Sequence, residues 1–218
     1  QASNLYEAIA GQERTVAIAR VSKTVMPVML PTGQVMSEMV VVFATDDTAM
    51  LALLPSSPHY WWAVTRGSSM RTDLRYTPSD VFETFVRPEP TAELRWLGDR
   101  LDTFRRELML ARQAGLTTTY NLLHDKGCHD EDIAELRNIH VDIDHAVMHA
   151  YGCDDRNLDH DFHDTRQGIR YTVGPTARQE ILDRLLELNH ATHAEELRGV
   201  DRQLPRQLKL GEEPEKSA

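Results

Sequence analysis

A proline pair near residue 90 constrains the fold most strongly, because it separates two stretches with different hydrophobic periods. The segment Arg87-Pro88-Glu89-Pro90 can continue neither a helix nor a central strand. Before it, apolar residues alternate in short runs typical of strands; after it they recur every three or four residues, as in helices. We therefore predict an α+β fold. It comprises a small mixed or antiparallel sheet with short helices over residues 1–90, a mainly helical region over 91–198 and a disordered tail over 199–218.

The strands of the first part are predicted from alternating, β-branched segments. Gln34–Ala44 is apolar throughout its second half, which predicts a strand buried on both faces. Pro27 predicts an edge or a bulge in the strand that contains it. The four predicted strands are Arg14–Val21, Thr24–Leu30, Gln34–Ala44 and Met70–Tyr76.

Helices are predicted where apolar residues recur at helical spacing after a capping residue. Asp46 or Asp47 is expected to cap a helix through Leu54, and Gly67 is expected to end another. A charged, irregular segment is expected over Cys153–Val173, with a short strand at its end, Gly168–Val173. The other predicted helices are Pro58–Arg66, Thr91–Ala114, Thr117–His124, Asp130–Ala150 and Pro175–Leu197.

Charge and hydropathy limit the classes of protein that this chain can represent. The formal net charge is −10, which argues against a uniformly basic nucleic-acid-binding protein. Residues 1–90 hold seven Lys and Arg against nine Asp and Glu, whereas residues 91–218 hold 17 against 25. The nearly neutral first part can therefore still present a local basic surface.

Targeting signals are not visible in the sequence. No apolar run approaches the roughly 20 residues that span a bilayer, and residues 1–11 lack the pattern of a signal peptide. We therefore expect a cytoplasmic location and no membrane partner. Because the chain begins at Gln1 without an initiator Met, we also expect it to be part of a longer protein.

Catalytic signatures are also missing from the sequence. No Gly-rich loop follows a strand to hold a nucleotide or S-adenosylmethionine, and no Gly-x-Ser-x-Gly elbow occurs. Neither Cys128 nor Cys153 belongs to a recognisable Cys-His-Asn arrangement. The two cysteines are either reduced thiols, as in most cytosolic proteins, or a pair. We predict a chain that is not catalytic by itself and binds no cofactor.

One His- and Asp-rich segment, Asp154–Asp164, could bind a divalent metal through His160 and His163. Its spacing lacks the Gly and Glu of an EF-hand, and its ligands are contiguous. We expect a polar loop whose histidines form hydrogen bonds, with no tightly bound metal. His140 and Asp144 share a helix face and are expected to form an interhelical polar contact.

Two short basic groups contain the candidate nucleic-acid contacts. Guanidinium groups match phosphates and guanine edges, and hydroxyl groups add hydrogen bonds. On a strand, Arg71, Asp73 and Arg75 would project to one face; an exposed face with Arg–Asp pairing is the alternative. The aromatic run Tyr60-Trp61-Trp62 could stack on bases, but its helical spacing favours the core. The candidate DNA-binding residues are Arg20, Ser22, Lys23, Arg66, Ser68, Ser69, Arg71, Asp73, Arg75 and Tyr76.

Four separated runs extend over most of the chain. They are RVSKTVMPVMLPTGQVMSEMVVVFATDD, SSPHYWWAVTRGSSMRTDLRYTPSDVFETFVRP, LTTTYNLLHDKG and HDTRQGIRYTVGPTARQEILDRLLELNH. In this order they resemble the C-terminal half of large bacterial DNA adenine-N6 methyltransferases. That family includes fused type II restriction–modification enzymes and related phage-defence methyltransferases. The resemblance extends from about Leu5 to about Glu196.

The resemblance implies a target-recognition domain over Gln1–Pro90 and, after Thr91, a helical region that packs behind it and helps to clamp a duplex. In the family, an upstream Rossmann-like domain transfers the methyl group from S-adenosylmethionine. Its cofactor loop and Asn-Pro-Pro-Tyr-type motif do not occur in this sequence. The implied partners are double-stranded DNA and the upstream methyltransferase domain of the same parent chain. Base-reading residues vary with the DNA site, so the ten candidates rest on their chemistry alone.

Two other functions remain open from the sequence. The first is an acidic helical scaffold that docks onto a methyltransferase or nuclease partner and makes little DNA contact. The acidic balance of residues 91–218 favours it. The second is a small metal-dependent nuclease that uses the His and Asp residues of Asp154–Asp164.

Overall fold

The computed structural model describes residues 2–70, 73–153 and 157–203. Its helices are α1 Ala2–Ala8, α2 Thr48–Leu53, α3 Ser57–Arg66, α4 Pro78–Val81, α5 Ala92–Ala111, α6 Leu116–Leu123, α7 Glu131–Ala150 and α8 Pro175–Gln203. Its strands are β1 Arg14–Ala19, β2 Val21–Ser22, β3 Val28–Pro31, β4 Val40–Phe43, β5 Ser68–Met70, β6 Asp73–Arg75, β7 Asp161–Thr165 and β8 Gly168–Thr172. The α+β class predicted from the sequence is confirmed.

The first sheet has the order β3-β1-β4, and both neighbours run antiparallel to the central strand β1. The side chains of residues 15–18 in β1 are buried on both faces, and the Thr15 hydroxyl donates to the Phe43 carbonyl at 2.6 Å. The prediction of a doubly buried strand over Gln34–Ala44 was wrong. Strand β4 begins only at Val40, lies at the sheet edge and alternates half-buried with buried residues. The strand with buried side chains on both faces is therefore the central strand β1.

The second sheet has the order β2-β6-β5 and corrects the prediction of one strand over Met70–Tyr76. Strand β5 pairs antiparallel with β6, so the chain reverses within this segment. Residues 71 and 72, which connect the two strands in the sequence, lie outside the described residues. The sequence Arg71-Thr72 contains neither Gly nor Asn, which are the usual signals of a tight hairpin, and alternation alone cannot reveal a reversal.

Helices α2 and α5 approach each other closely at Gly98. A Cβ at this position would lie 1.9 Å from the carbonyl oxygen of Thr48, so only glycine fits. Asp47 is the N-cap of α2, as predicted, and pairs with Arg95 of α5 at 3.0 Å. One hydrophobic cluster includes side chains from both sides of Pro90. The two predicted regions therefore share a core, and their division into domains stays a prediction.

Arginines connect the helices of the second part. Arg100 of α5 pairs with Glu135 and Asp142 of α7, the latter at 2.8 Å. The buried Arg137 of α7 donates to carbonyls at and after the end of α6, including Leu123 O at 2.9 Å. These bonds satisfy carbonyl groups that a helix end leaves without intrahelical partners.

The carboxylate of Asp144 joins three segments. It accepts from the backbone N–H and the hydroxyl of Ser57, both at 2.6 Å, and lies 2.8 Å from the imidazole of His160. His140, one turn earlier on α7, lies 2.9 Å from the Tyr120 hydroxyl of α6. The predicted interhelical polar contacts of His140 and Asp144 are confirmed.

The C-terminal part differs from the prediction at two places. Strand β7 was not predicted; it pairs antiparallel with β8 and forms a second hairpin. Helix α8 continues to Gln203, past the predicted end at Leu197 and into the expected tail. A single Gly199 costs a helix only about 1 kcal/mol, which does not stop a long one. Residues 204–218 lie outside the described residues.

Cys128 is buried, Cys153 is half-buried, and both are free thiols rather than a pair. Across the described ranges, no helix has the length and apolar character needed to cross a membrane.

Candidate nucleic-acid interface

The second sheet brings together the two basic segments that the sequence indicated. The backbone N–H of Tyr76 donates to the carbonyl of Arg20 at 2.8 Å, just before β2 begins. Within the sheet, Val21 and Ser68 lie opposite Arg75 on either side. Segments more than 40 residues apart in the sequence therefore form one continuous surface.

The pleat of β6 determines which of its side chains can reach a ligand. Leu74 is 5% exposed and faces the core, whereas Arg75 is exposed and Asp73 is half-buried. Because side chains alternate along a strand, Asp73 and Arg75 share the outer face. The third residue predicted for this face, Arg71, lies outside the described residues.

Arg66 ends helix α3 beside this sheet. Its guanidinium carbon lies 4.7 Å from the ring centroid of Trp62, in cation–π contact. The next residue, Gly67, has no space for a side chain: a Cβ would lie 2.6 Å from Ala63 O and 2.8 Å from Leu74 Cδ1. The glycine therefore lets the chain pass directly from the helix into β5, and this places Arg66 at the margin of the sheet.

The structure corrects two of the predicted contacts. Tyr76 is 1% exposed, and its hydroxyl lies 2.9 Å from Nε2 of His59 inside the core. Burial raises the pKa of this phenol, which reflects its separation from solvent. The hydroxyl of Ser22 donates to Thr24 O and accepts from Thr24 N at 2.9 Å, so it closes a local turn. The side chain of Ser69 lies outside the described part.

The remaining candidates define what we call the hairpin surface: Arg20, Lys23, Arg66, Ser68, Asp73 and Arg75. None of its four cations has an ion-pair partner among the described residues. The predicted alternative, Arg–Asp pairing on this face, is not seen within the described ranges. By contrast, Arg95, Arg100 and Arg112 are all paired with carboxylates.

Two polar atoms of the hairpin surface are left unsatisfied. The Nε atom of Arg20 and the Oδ1 atom of Asp73 are buried without a hydrogen-bond partner among the described residues. A buried polar atom without a partner costs about 1–3 kcal/mol, so such atoms are rare in folded proteins. Among the described residues, the hairpin surface thus has cations without ion-pair partners and hydrogen-bonding groups that are not used.

The other motifs that the sequence suggested have structural roles. Tyr60, Trp61 and Trp62 are between 1% and 7% exposed, which confirms the prediction that they belong to the core. His160 bonds to Asp144, and His163 bonds to a backbone carbonyl at 2.8 Å. Within the described ranges, no three His, Cys, Asp or Glu side chains are placed to hold a metal together.

Two cations near this surface were missed by the sequence analysis, Arg166 and Arg178. Arg166 lies in the turn between β7 and β8, and Arg178 lies in the first turn of α8 with its guanidinium carbon 4.6 Å from the Trp61 ring centroid. Their proximity to α3 depends on the packing of distant elements, so no local pattern could have indicated it.

No protein-family model and no curated protein matches this chain. Among solved structures, it is similar to the type IIL restriction-modification enzyme MmeI, whose structure is of a complex with DNA. The TM-score is 0.57 with 16% sequence identity, over 84% of this chain and 22% of that chain. The chain therefore spans less than a quarter of MmeI, and at this identity the similarity concerns the fold. The predicted resemblance is supported at that level: the chain has the fold of a segment of a restriction–modification enzyme.

Proposed function

We propose that this chain is the DNA-recognition module of a restriction–modification-type DNA adenine-N6 methyltransferase, and that the catalytic domain and its S-adenosylmethionine site lie upstream in the parent protein. The observation that carries the proposal is the hairpin surface, with four cations that have no ion-pair partner among the described residues of a chain with net charge −10. The similarity of the fold to MmeI, solved with DNA, supports the same partner.

The charge distribution gives the module a preferred orientation on DNA. Phosphates attract the hairpin surface and repel the acidic remainder, so a duplex approaches from one side. Arg75 projects from a strand that is paired on both sides, and this rigid position suits a guanidinium that reads a guanine edge. Lys23 follows the end of β2 and is exposed, which suits a phosphate contact that positions without specifying sequence.

A methyltransferase needs such a module because its target base lies inside the helix. Flipping an adenine out of the stack costs a few kcal/mol, and the flanking duplex must be held in register meanwhile. The module supplies that grip and the choice of site, while the upstream domain supplies the methyl transfer.

The acidic scaffold remains the second candidate function, and one observation favours it. Trp96 is 60% exposed and Leu110 is 72% exposed, and both lie on α5. A protein partner that docks along α5 would cover both side chains. Such a contact is compatible with DNA recognition if the upstream domain docks there.

The experiment is a selection of duplexes from a random pool with the 218-residue chain at low salt, followed by affinity measurements on the enriched sequence. We expect one motif to be enriched and the affinity to fall steeply with salt. The double variant Arg66→Ala/Arg75→Ala should lose the enrichment. The matched control is Arg184→Ala, which removes an exposed arginine of α8 that pairs with Glu187 at 3.2 Å.

If the unaltered chain retains no duplex from the pool, DNA recognition is rejected. Equal retention by the double variant and the unaltered chain would reject the hairpin surface. Binding to a methyltransferase domain without any binding to DNA would establish the scaffold instead.

A further inference from the structure

We infer that Arg166 and Arg178 form a second DNA contact, which holds backbone phosphates on one flank of the duplex while the hairpin surface reads the site. This inference rests on the proposed function. It assigns a new binding role to a groove, which we call the flank groove, lined by Trp61, Thr65, Arg166, Gln167, Arg178 and Gln179. The groove has a volume of about 670 Å³.

The structure holds both cations in place at the groove. The guanidinium of Arg178 stacks on the buried ring of Trp61, which orients the group while leaving its N–H edge available for oxygen acceptors. Arg166 is exposed at the tip of the β7–β8 hairpin. That tip is braced by Thr165, whose hydroxyl donates to Gly168 O at 2.7 Å and accepts from Gln167 N at 3.1 Å.

The charge of the flank groove favours an anionic occupant. Neither Arg166 nor Arg178 has an ion-pair partner among the described residues. One carboxylate, Asp164, also lines the groove, so the two arginines are in excess. The first turn of α8, which contains Arg178, has no acidic residue of its own.

The flank groove and the hairpin surface are close enough to share one duplex. Thr65 lines the groove, and Arg66 and Ser68 belong to the hairpin surface. Three peptide links separate Thr65 from Ser68, a span of at most about 11 Å. The backbone at the edge of the flank groove is therefore within about one major-groove width, about 12 Å, of the hairpin surface, and this proximity is the basis for placing one duplex against both.

The two surfaces differ in the chemistry that they offer. The flank groove presents two arginines beside small hydroxyl and amide side chains. One arginine lies at the tip of the β7–β8 hairpin and the other at the start of helix α8. Such contacts neutralise phosphates at any sequence. The flank groove should therefore contribute affinity and register, and it should leave the choice of bases to the hairpin surface.

The test compares Arg166→Gln/Arg178→Gln with the unaltered chain on the selected duplex and on a scrambled duplex of equal length. We expect a several-fold decrease in affinity for both duplexes alike, and the same motif in a repeated selection. The slope of log affinity against log salt should fall by about 1.8, because each phosphate that is no longer neutralised removes about 0.9. The control is Arg184→Gln, farther along α8, which should change neither slope nor affinity.

Because Arg178 packs on Trp61, its replacement could disturb the fold. The single variant Arg166→Gln, whose side chain has no described partner, should by itself lower the slope by about 0.9. A double variant with unchanged slope and affinity would overturn the inference while the proposed function stands. A changed motif with unchanged slope would also overturn it. If the unaltered chain binds no duplex at all, both the proposed function and this inference are rejected.

Discussion

The imidazole of His59 and the phenol of Tyr76 are hydrogen-bonded at 2.9 Å inside the core, directly beneath the hairpin surface. Nδ1 of the same imidazole lies 2.7 Å from the carbonyl of Leu54, which can only accept, so Nδ1 carries the proton. Nε2 therefore accepts from the Tyr76 hydroxyl. This arrangement requires a neutral histidine, and it anchors the end of β6 to helix α3.

The first prediction concerns pH. Burial lowers the pKa of His59 from 6.5 to about 4 in the folded protein. Above pH 6.5 the imidazole is neutral in both states and has no effect. As the pH falls from about 6.5 to about 4, His59 binds a proton in the unfolded chain but stays neutral in the folded chain. The free energy of unfolding should then fall by about 3 kcal/mol from this group.

The measurement is urea unfolding between pH 7 and 4.5. His140 contributes in the same direction, since burial lowers its pKa to about 4 as well. His59→Asn keeps a donor toward Leu54 O and should make the pH dependence shallower by about one proton. The control His193→Asn alters a side chain that is 68% exposed and should leave the profile unchanged. If the free energy of unfolding of His59→Asn depends on pH in the same way as that of the unaltered chain, His59 is not the source of the pH dependence.

The second prediction is that Tyr76→Phe acts on stability and not on DNA affinity. The change leaves Nε2 of His59 buried without its donor, which should cost about 1–3 kcal/mol. Thermal or urea unfolding measures this cost, and affinity is measured well below the unfolding midpoint. Weaker DNA binding with unchanged stability would show that Tyr76 contacts DNA and that its placement in the core is not its whole role.

The third prediction separates a base reader from a phosphate contact on the hairpin surface. Arg75→Ala should cost about 1–3 kcal/mol on the selected duplex and relax the preference at one position. Lys23→Ala should weaken all duplexes alike and lower the salt slope by about 1. Repeated selection and salt titration of each variant distinguish the two effects. Identical effects of the two variants on motif and slope would refute the assigned roles.

The fourth prediction concerns the contact between α2 and α5. Gly98→Ala places a methyl group where only 1.9 Å separates it from Thr48 O, so the helices must move apart. We expect stability to fall by about 3 kcal/mol, at the upper end for overpacking. The control Gly33→Ala adds a methyl group with no atom within 4 Å and should change stability by less than about 0.5 kcal/mol. Equal stability of the two variants would mean that the contact is looser than the structure shows.

Features that depend on neighbouring residues could be predicted from the sequence by itself. A cap at Asp46 or Asp47 and a helix beginning at Thr91 were expected, and the side chains of Asp47 and Thr91 each accept a hydrogen bond from a backbone N–H of the first turn. The change from strands to helices after Pro90, most helix bounds, and the burial of Trp61 were expected as well. These features follow from periodicity and capping, which act over about four residues.

Only the tertiary structure decided which basic residues share a surface. It reversed the chain within residues 68–75, turned Tyr76 into the core and brought Arg20 beside β6. It also placed Arg178 on Trp61 from the far end of the chain. Such contacts join elements that are distant in sequence and form only when loop closure is offset by burial of the shared core. No local sequence pattern encodes the balance between loop closure and core burial. The residues that form the hairpin surface and the flank groove were therefore determined only by the tertiary structure.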